Sequence, residues 1–165
     1  MADRTVSERL QPSLLDRLTD DQPQSLNESR AQRVIDIARL REIIQRDLSY
    51  LLNTDNLGSA LDHEVYPNVA RSTLNYGIAP SAGEHSTTMQ VKAMRKSIAE
   101  AIEAFEPRII RGTTLVQLRE ETADNGMTVF FDIRSDMWAQ PMPLELYLRS
   151  RVDMSTGQVE MDRGG

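Results

Sequence analysis

The tripeptide Glu106-Pro107-Arg108 carries the residues that are best placed for chemistry in this sequence. Proline disfavours the helical conformation in the residue before it, so a helix that reaches this point must stop here. An acidic residue at the C-terminal end of a helix opposes the helix dipole, which indicates that Glu106 interacts with another group. Because residues two positions apart in an extended chain project to the same side, Glu106 and Arg108 can act together. We interpret them either as a charged fork for a partner protein or as a solvated ion pair, and expect an exposed Arg108 that adds little stability.

Paired carboxylates would support a second kind of chemistry, the hydrolysis of glycosidic bonds. A muramidase requires two carboxyl groups about 5 to 9.5 Å apart, one of which has a raised pKa. The candidates in this sequence are Glu106, Asp132 and Glu145. Each is also typical of a solvated charge at a helix end or on a strand face, and this interpretation is the one we favour.

The composition excludes most metal and cofactor chemistry. The chain has no cysteine, so disulfides, thiol nucleophiles and thiolate metal sites are ruled out. Of the two histidines, His63 lies between Asp62 and Glu64, and we interpret this cluster as a surface loop rather than a metal site. The sequence contains neither a glycine-rich phosphate loop nor a GxSxG nucleophile motif. We therefore predict no cofactor and no bound metal.

The charge balance favours protein partners. Lys and Arg total 19 against 25 Asp and Glu, and the resulting net charge of -6 opposes binding to nucleic acid. Aromatic residues make up only 5% of the chain, so few rings are available to stack on bases or sugars. No stretch approaches about 18 consecutive apolar residues, and the N-terminus lacks the apolar run of a signal peptide. We expect a cytoplasmic protein that does not insert directly into the membrane.

Two amphipathic helices are predicted from apolar residues that recur every three or four positions. The first runs from Arg30 to Leu52, with a capping box that begins at Ser29 and charged residues on solvated faces. The second ends before Pro107, and a shorter helix is expected over residues 68–76. The apolar stripe of the second long helix contains Val91, Met94, Ile98, Ala101, Ile102 and Phe105.

Beyond the second helix the apolar residues alternate, which predicts strands. Residues 113–120 and 127–134 form a hairpin joined by a turn at 124–126, and a third strand starts at Leu144. A turn at 155–157 leads into a short tail strand. These elements predict an α+β fold with two amphipathic helices packed on one face of a small antiparallel sheet.

The length of 165 residues suits one compact domain, which we place at residues 29–162. Residues 1–28 are expected to form a flexible N-terminal segment with a short docking helix, for which Ser13 is the N-cap. The apolar residues of this helix are Leu14, Leu15 and Leu18.

Five separated segments resemble one protein family. In chain order they are PSLLDRLTDD (12–21), RDLSYLLNT (46–54), LNYGI (74–78), FEPR (105–108) and VDMSTGQVE (152–160). Together they resemble the TssE family of type VI secretion baseplate subunits, which is related to the lysozyme-like wedge proteins of contractile phage tails. The resemblance extends over residues 10–162 of the chain.

The resemblance implies a structural and non-enzymatic role. Proteins of this family assemble with TssF- and TssG-like wedge subunits at the cytoplasmic face of the inner membrane. The first ring of TssB/TssC-like sheath subunits then adds strands to their sheet. Glu106, Pro107 and Arg108 match the family's glutamate-proline-arginine motif, which is associated with that contact. Two alternative functions are a peptidoglycan muramidase and a regulatory binding protein of the anti-adaptor type.

Overall fold

The computed structural model describes residues 13–19, 24, 37–62, 64–80, 87–119, 128–138 and 143–163. Within them the chain forms three α-helices and four strands. The helices are α1 (Leu14–Leu18), α2 (Ile37–Leu52) and α3 (Thr87–Phe105), and the strands are β1 (Leu115–Arg119), β2 (Thr128–Met137), β3 (Leu144–Asp153) and β4 (Val159–Arg163). Two 3₁₀ turns, at Val69–Arg71 and Thr73–Asn75, lie between α2 and α3.

The four strands form one antiparallel sheet in the order β1-β2-β3-β4, so β1 and β4 are its edges. Side chains alternate across the sheet, and every second residue of the central strands is buried in the core. These residues include Phe131, Ile133 and Met137 of β2 and Leu146 and Leu148 of β3. Since α2 and α3 contact each other, and α3 contacts β1 while α2 contacts β4, the helices cover this face. The predicted α+β fold is confirmed.

The two long helices bury one side each. In α2 the side chains of Leu40, Ile44 and Leu48 are buried at four-residue intervals, as an amphipathic helix requires. In α3 the corresponding residues are Met94 and Ile98. Both sets belong to a single hydrophobic core shared with the sheet. The helical layer therefore holds the ends of α2 and α3 in fixed positions relative to the sheet.

Most of the predicted helical structure is confirmed. The second predicted helix corresponds to α3, and the first corresponds to α2, although its predicted start at Arg30 and its cap at Ser29 lie outside the described residues. The expected helix over residues 68–76 is wrong. Ser72 adopts an extended conformation, with φ -90° and ψ 164°, and its hydroxyl accepts a hydrogen bond from the N–H of Leu74. This local bond divides the segment into two 3₁₀ turns.

The predicted strands are confirmed as β1 to β4. β2 extends to Met137, beyond the predicted range, whereas the turn at 124–126 lies outside the described residues. The turn before β4 contains Gly157, whose N–H donates to the carbonyl of Asp153 at 2.7 Å and whose φ is 76°. A positive φ of this kind favours glycine.

A short bridge joins the end of α2 to the segment before α3. The N–H of Asn56 donates to the carbonyl of Ile78, and the N–H of Ile78 donates to the carbonyl of Thr54, both at 2.8 Å. Gly77 has φ 121°, and a Cβ atom at this position would lie 2.1 Å from the Thr54 carbonyl oxygen. Only glycine fits so close an approach. The bridge fixes the neighbouring Tyr76 against the end of α3.

The short helix α1 has the predicted N-cap. The hydroxyl of Ser13 accepts from the N–H of Asp16. The side chains of Leu14, Leu15 and Leu18 are 71%, 56% and 75% exposed. In the described part of the chain, no helix is long and apolar enough to cross a membrane.

A candidate partner-binding site at the end of α3

The Glu106-Pro107-Arg108 tripeptide connects α3 to the sheet. The N–H of Glu106 makes the last helical hydrogen bond, to the carbonyl of Ile102 at 3.0 Å. Beyond Pro107, the carbonyl of Arg108 accepts from the N–H of Trp138 at 2.8 Å, directly after β2. The tripeptide is therefore held at both ends, and Pro107 between them is exposed.

Glu106 and Arg108 form a close ion pair, as one of the sequence interpretations predicted. One carboxylate oxygen of Glu106 accepts from the backbone N–H of Arg108 at 3.0 Å and from its Nε at 2.7 Å. The other accepts from Nη2 at 2.5 Å. The Glu106 side chain is only 5% exposed and that of Arg108 is 27% exposed. The expectation of a solvated pair with an open arginine is therefore wrong, because the pair is packed against α2.

The ion pair continues onto α2 and α1. Nη2 of Arg108 donates to Asp47 at 2.7 Å, and Asp47 also accepts from Nε and Nη2 of Arg46 at 3.0 and 2.7 Å. Nη1 of Arg46 reaches Asp16 on α1 at 2.6 Å. We call the five residues the charge chain; in spatial order they are Glu106, Arg108, Asp47, Arg46 and Asp16. The interpretation of the charges on α2 as a solvated face is wrong for Arg46 and Asp47.

The charge chain shifts the pKa values of its members in consistent directions. Burial lowers the pKa of Arg108, but its hydrogen bonds to Glu106 and Asp47 and the charges of these two carboxylates outweigh this effect and raise the pKa. Hydrogen bonds to Asp16 and Asp47 raise the pKa of Arg46. The bond from Arg46 lowers the pKa of Asp16 below its usual 3.8. All three shifts favour the charged forms, so the alternating charges stabilise one another at neutral pH.

A shallow cavity of about 360 Å³ opens beside the charge chain. One wall is formed by Tyr76 and Phe105, whose rings meet edge to face with centroids 5.4 Å apart. Burial, and then the charges of Asp47 and Glu106, raise the pKa of Tyr76, so its hydroxyl stays protonated at neutral pH. The cavity is lined by Ser13, Asp47, Leu48, Leu51, Tyr76, Phe105, Glu106, Pro107 and Arg108.

This arrangement suits recognition of a polypeptide. The charge chain contains three carboxylates and two guanidinium groups, so it carries one net negative charge. Within the described residues Nη1 of Arg108 makes no hydrogen bond and can donate to a carbonyl. An extended peptide offers both N–H donors and C=O acceptors, and the aromatic wall can receive an apolar side chain.

The structure does not bring the muramidase candidates together. Asp132 pairs with Arg119 at 2.8 Å on the sheet face that points away from the helices, whereas Glu106 lies on the helical side. Glu145 lies opposite Asp136, four residues along β2 from Asp132, and at about 3.3 Å per residue this separation is about 13 Å. A glycosidase pair needs less than about 9.5 Å.

The described residues contain no group of three or more metal-binding side chains. The metal interpretation considered for His63 concerns a residue outside the described part of the chain. One oxygen of its neighbour Asp62 accepts from the backbone N–H groups of Glu64 and Val65, which forms a local turn.

Four of the five segments that carried the family resemblance converge on this site. Ser13 and Asp16 come from the first, Asp47 from the second, Tyr76 from the third and Glu106 from the fourth. The sequence interpretation singled out only the fourth. The residues of the other three segments could be found in the sequence only as parts of family-like motifs. Their placement around Glu106 and Arg108 depends on the fold.

A family model described as baseplate wedge protein gp25 matches residues 38–142, which is more than half of the chain. The chain belongs to this family of baseplate wedge proteins. The match includes Arg46, Asp47 and the Glu106-Pro107-Arg108 tripeptide, and it ends before β3. No curated protein and no solved structure gives a significant match. The resemblance to wedge proteins is confirmed, and family membership supports a structural role in the baseplate of a contractile tail system.

Proposed function

We propose that this wedge protein is the TssE-type subunit of a type VI secretion baseplate and that it starts polymerisation of the sheath. In this function it assembles with TssF- and TssG-like wedge subunits in the cytoplasm, at the inner membrane. The first TssB/TssC-like sheath subunits then pair an extended strand with its sheet. The observation that carries the proposal is that four of the five TssE-like segments contribute residues to the charge chain or to the cavity beside it.

Within this function, Glu106, Pro107 and Arg108 belong to the surface that meets the sheath. Glu106 fixes the position of the Arg108 guanidinium, which leaves Nη1 free to donate to a main-chain carbonyl of the partner. Pro107 keeps the exposed backbone of the tripeptide in one conformation. The residues therefore act by positioning a contact and not by acid–base chemistry.

The N-terminal helix supports a second contact. The exposed leucines of α1 face away from the core, while Asp16 ties the helix to Arg46. A helix that is held by an ion pair and has an exposed apolar surface is suited to docking against another subunit. We assign this surface to the wedge subunits. It lies at the Asp16 end of the charge chain, whereas the residues assigned to the sheath contact lie at the Glu106 end.

The proposal is tested by sheath imaging in cells that lack the chain. We expect no fluorescent sheath without the chain, restoration by the wild type, and a several-fold loss of sheaths with Pro107→Ala. Co-purification of the wedge subunits should persist with this variant, because Pro107 makes no ion pair. The matched control is Lys96→Ala, on an exposed part of α3, which should restore sheaths fully.

Two outcomes would contradict the proposal. The first is normal sheath assembly in cells without the chain. The second is peptidoglycan hydrolysis by the purified chain that disappears with Asp132→Asn, which would instead support the muramidase alternative.

A further inference from the structure

The two edges of the sheet differ in the way their main-chain groups are occupied. On β4, the side-chain amide of Asn53 accepts from the N–H of Val159 at 2.9 Å and donates to its carbonyl at 2.8 Å. Gln45 on α2 donates to the carbonyl of Met161 at 2.9 Å. Three outward-facing groups of β4 are therefore bound to side chains from α2 and its C-terminal end. These bonds obstruct the pairing of a new strand along this edge.

The opposite edge is open. In an antiparallel ladder, successive residues direct their main-chain groups alternately towards and away from a given neighbour. The N–H of Ile110 donates to the carbonyl of Asp136, so the main-chain groups of the even-numbered residues of β2 point towards β1. Gln117 lies opposite Asp132, so the main-chain groups of Gln117 point towards β2. The N–H and C=O groups of Val116 and Leu118 then point away from the sheet. In the described part of the chain, nothing bonds to these groups.

The side chains of the two edges differ as well. Leu115 and Leu118 on β1 are 49% and 51% exposed and lie on opposite faces of the sheet. Proteins usually protect an open edge with charges or proline, and in β1 only the last residue, Arg119, is charged, and it pairs with Asp132 of the neighbouring strand. On β4, by contrast, Glu160 and Asp162 are charged. The edge with free main-chain groups is thus also the edge with exposed apolar side chains.

We propose that β1, and not β4, is the edge that receives the strand of the first sheath subunit. This inference rests on the proposed function and makes its contact specific. Because Leu115 and Leu118 lie on opposite faces, the incoming strand carries an apolar side chain on each of its faces at this position. Its main chain pairs with the free groups of Val116 and Leu118.

Photo-crosslinking in assembling cells tests this choice of edge. The photoreactive residue p-benzoylphenylalanine is placed at Gln117 on β1 or, as the matched control, at Glu160 on β4. Both side chains are exposed, and both lie on the sheet face that points away from the helices. We expect crosslinks to the sheath subunit from Gln117 at least ten-fold above those from Glu160.

The possible outcomes separate the inference from the function on which it rests. Sheath crosslinks mainly from Glu160 would overturn the inference and leave the proposed function in place. A crosslink from Gln117 to a second copy of this chain, with none to the sheath, would also overturn it. Normal sheath assembly in cells that lack the chain would count against the proposed function itself.

Proline substitutions provide a second test that does not depend on a probe. Leu118→Pro removes an outward N–H, so it should weaken sheath recruitment at least ten-fold without breaking the β1–β2 ladder. Met161→Pro removes an outward N–H on β4 and should leave recruitment within two-fold of the wild type. The reverse order of effects in two variants with native circular dichroism would overturn the inference. Where a variant does not fold, the crosslinking result decides.

Discussion

The Arg108 side chain joins two carboxylates that are distant in the sequence. It donates to Glu106, two residues before it, and to Asp47, 61 residues before it. Removal of one partner from a buried pair costs more than the pair itself contributes, because the remaining charge stays desolvated. Arg108 is therefore a structural brace as well as a proposed contact, and its two roles must be separated by experiment.

We expect Arg108→Ala to lower the free energy of unfolding by about 2 kcal/mol or more, since Glu106 would remain buried without its cation. Urea denaturation measures this change. The double variant Glu106→Gln/Arg108→Ala should recover part of the loss, because it removes the unpaired charge. Lys96→Ala, in an exposed pair with Glu100, is the control and should change stability by less than about 0.5 kcal/mol. Equal small effects of Arg108→Ala and Lys96→Ala would contradict the brace.

The Glu106–Arg108 pair was predictable from the sequence, but its burial was not. An acid at a helix end, a proline and a cation two residues on are local signals that the printed sequence contains. The contact with Asp47 depends instead on how α2 packs against the end of α3, and the spacing of apolar residues in the sequence does not predict this packing. Surface charges on an amphipathic helix look alike in sequence, whether they meet water or another element.

At the scale of elements, α1 is the helix with the weakest attachment. It has five residues, too few to be stable alone, and its leucines are exposed. Asp16 ties it to α2 through Arg46, and the Asp16 side chain is only 9% exposed. The position of this helix therefore depends on the ionised state of one carboxylate.

We expect the contribution of Asp16 to be lost in acid. Its pKa in the folded protein lies below 3.8, so the stability that it contributes is fully present above about pH 5 and disappears as the pH falls through the lowered value. Wild type and Asp16→Asn should differ by about 1 kcal/mol in free energy of unfolding at pH 7. The difference should shrink as the pH falls further below 3.8, as measured by urea denaturation. A difference that is independent of pH would show that packing, not charge, holds α1.

The helices and strands were predictable from the sequence where the apolar pattern repeats over several turns or residue pairs. α2, α3 and the strands repeat their apolar residues several times, whereas residues 68–76 offer one short, weak pattern. There a single serine decided the structure, because the hydroxyl of Ser72 competes with the helical hydrogen bonds. Local side-chain bonds of this kind override propensity in short segments.

At the scale of the whole molecule, large apolar side chains remain exposed well away from the core. Such surfaces are typical of a subunit that is covered by neighbours in its assembly. They concentrate on α1, on the segment between α2 and α3, and on β1. The exposed residues include Leu14, Leu15, Leu18, Leu57, Val65, Tyr66, Leu74, Leu115, Leu118 and Trp138.

The single tryptophan reports on this coverage. The Trp138 side chain is 61% exposed. The backbone N–H of Trp138 donates to the carbonyl of Arg108, so this residue lies next to the proposed contact. When sheath subunits bind to the purified wedge complex, its emission should shift to shorter wavelength, provided that the partners carry no tryptophan at their own contact. Trp138→Phe supplies the matched control, because it removes the signal with little change in shape. Unchanged emission on binding would place the contact elsewhere.

The difference between the sheet edges could not have been read from the strands alone. The groups that close β4 belong to Asn53 and Gln45, and Asn53 lies 106 residues before Val159 in the chain. In the sequence, Asn53 is typical of a helix end, which it also is. Only the packing of α2 against the sheet brings the same amide into hydrogen bonds with the main chain of the edge strand β4.

The occupied β4 edge makes the two ends of the sheet unequal for the addition of strands. A sheet with two open edges can lengthen either way, and copies of it can join into fibres of no defined length. Because side chains of α2 and its C-terminal end occupy groups on β4, we expect added strands to pair only with β1, which would place the chain at the beginning of a row of strands and not in its middle. In the proposed assembly the subunit is therefore a terminus, and its own fold sets the direction in which strands are added.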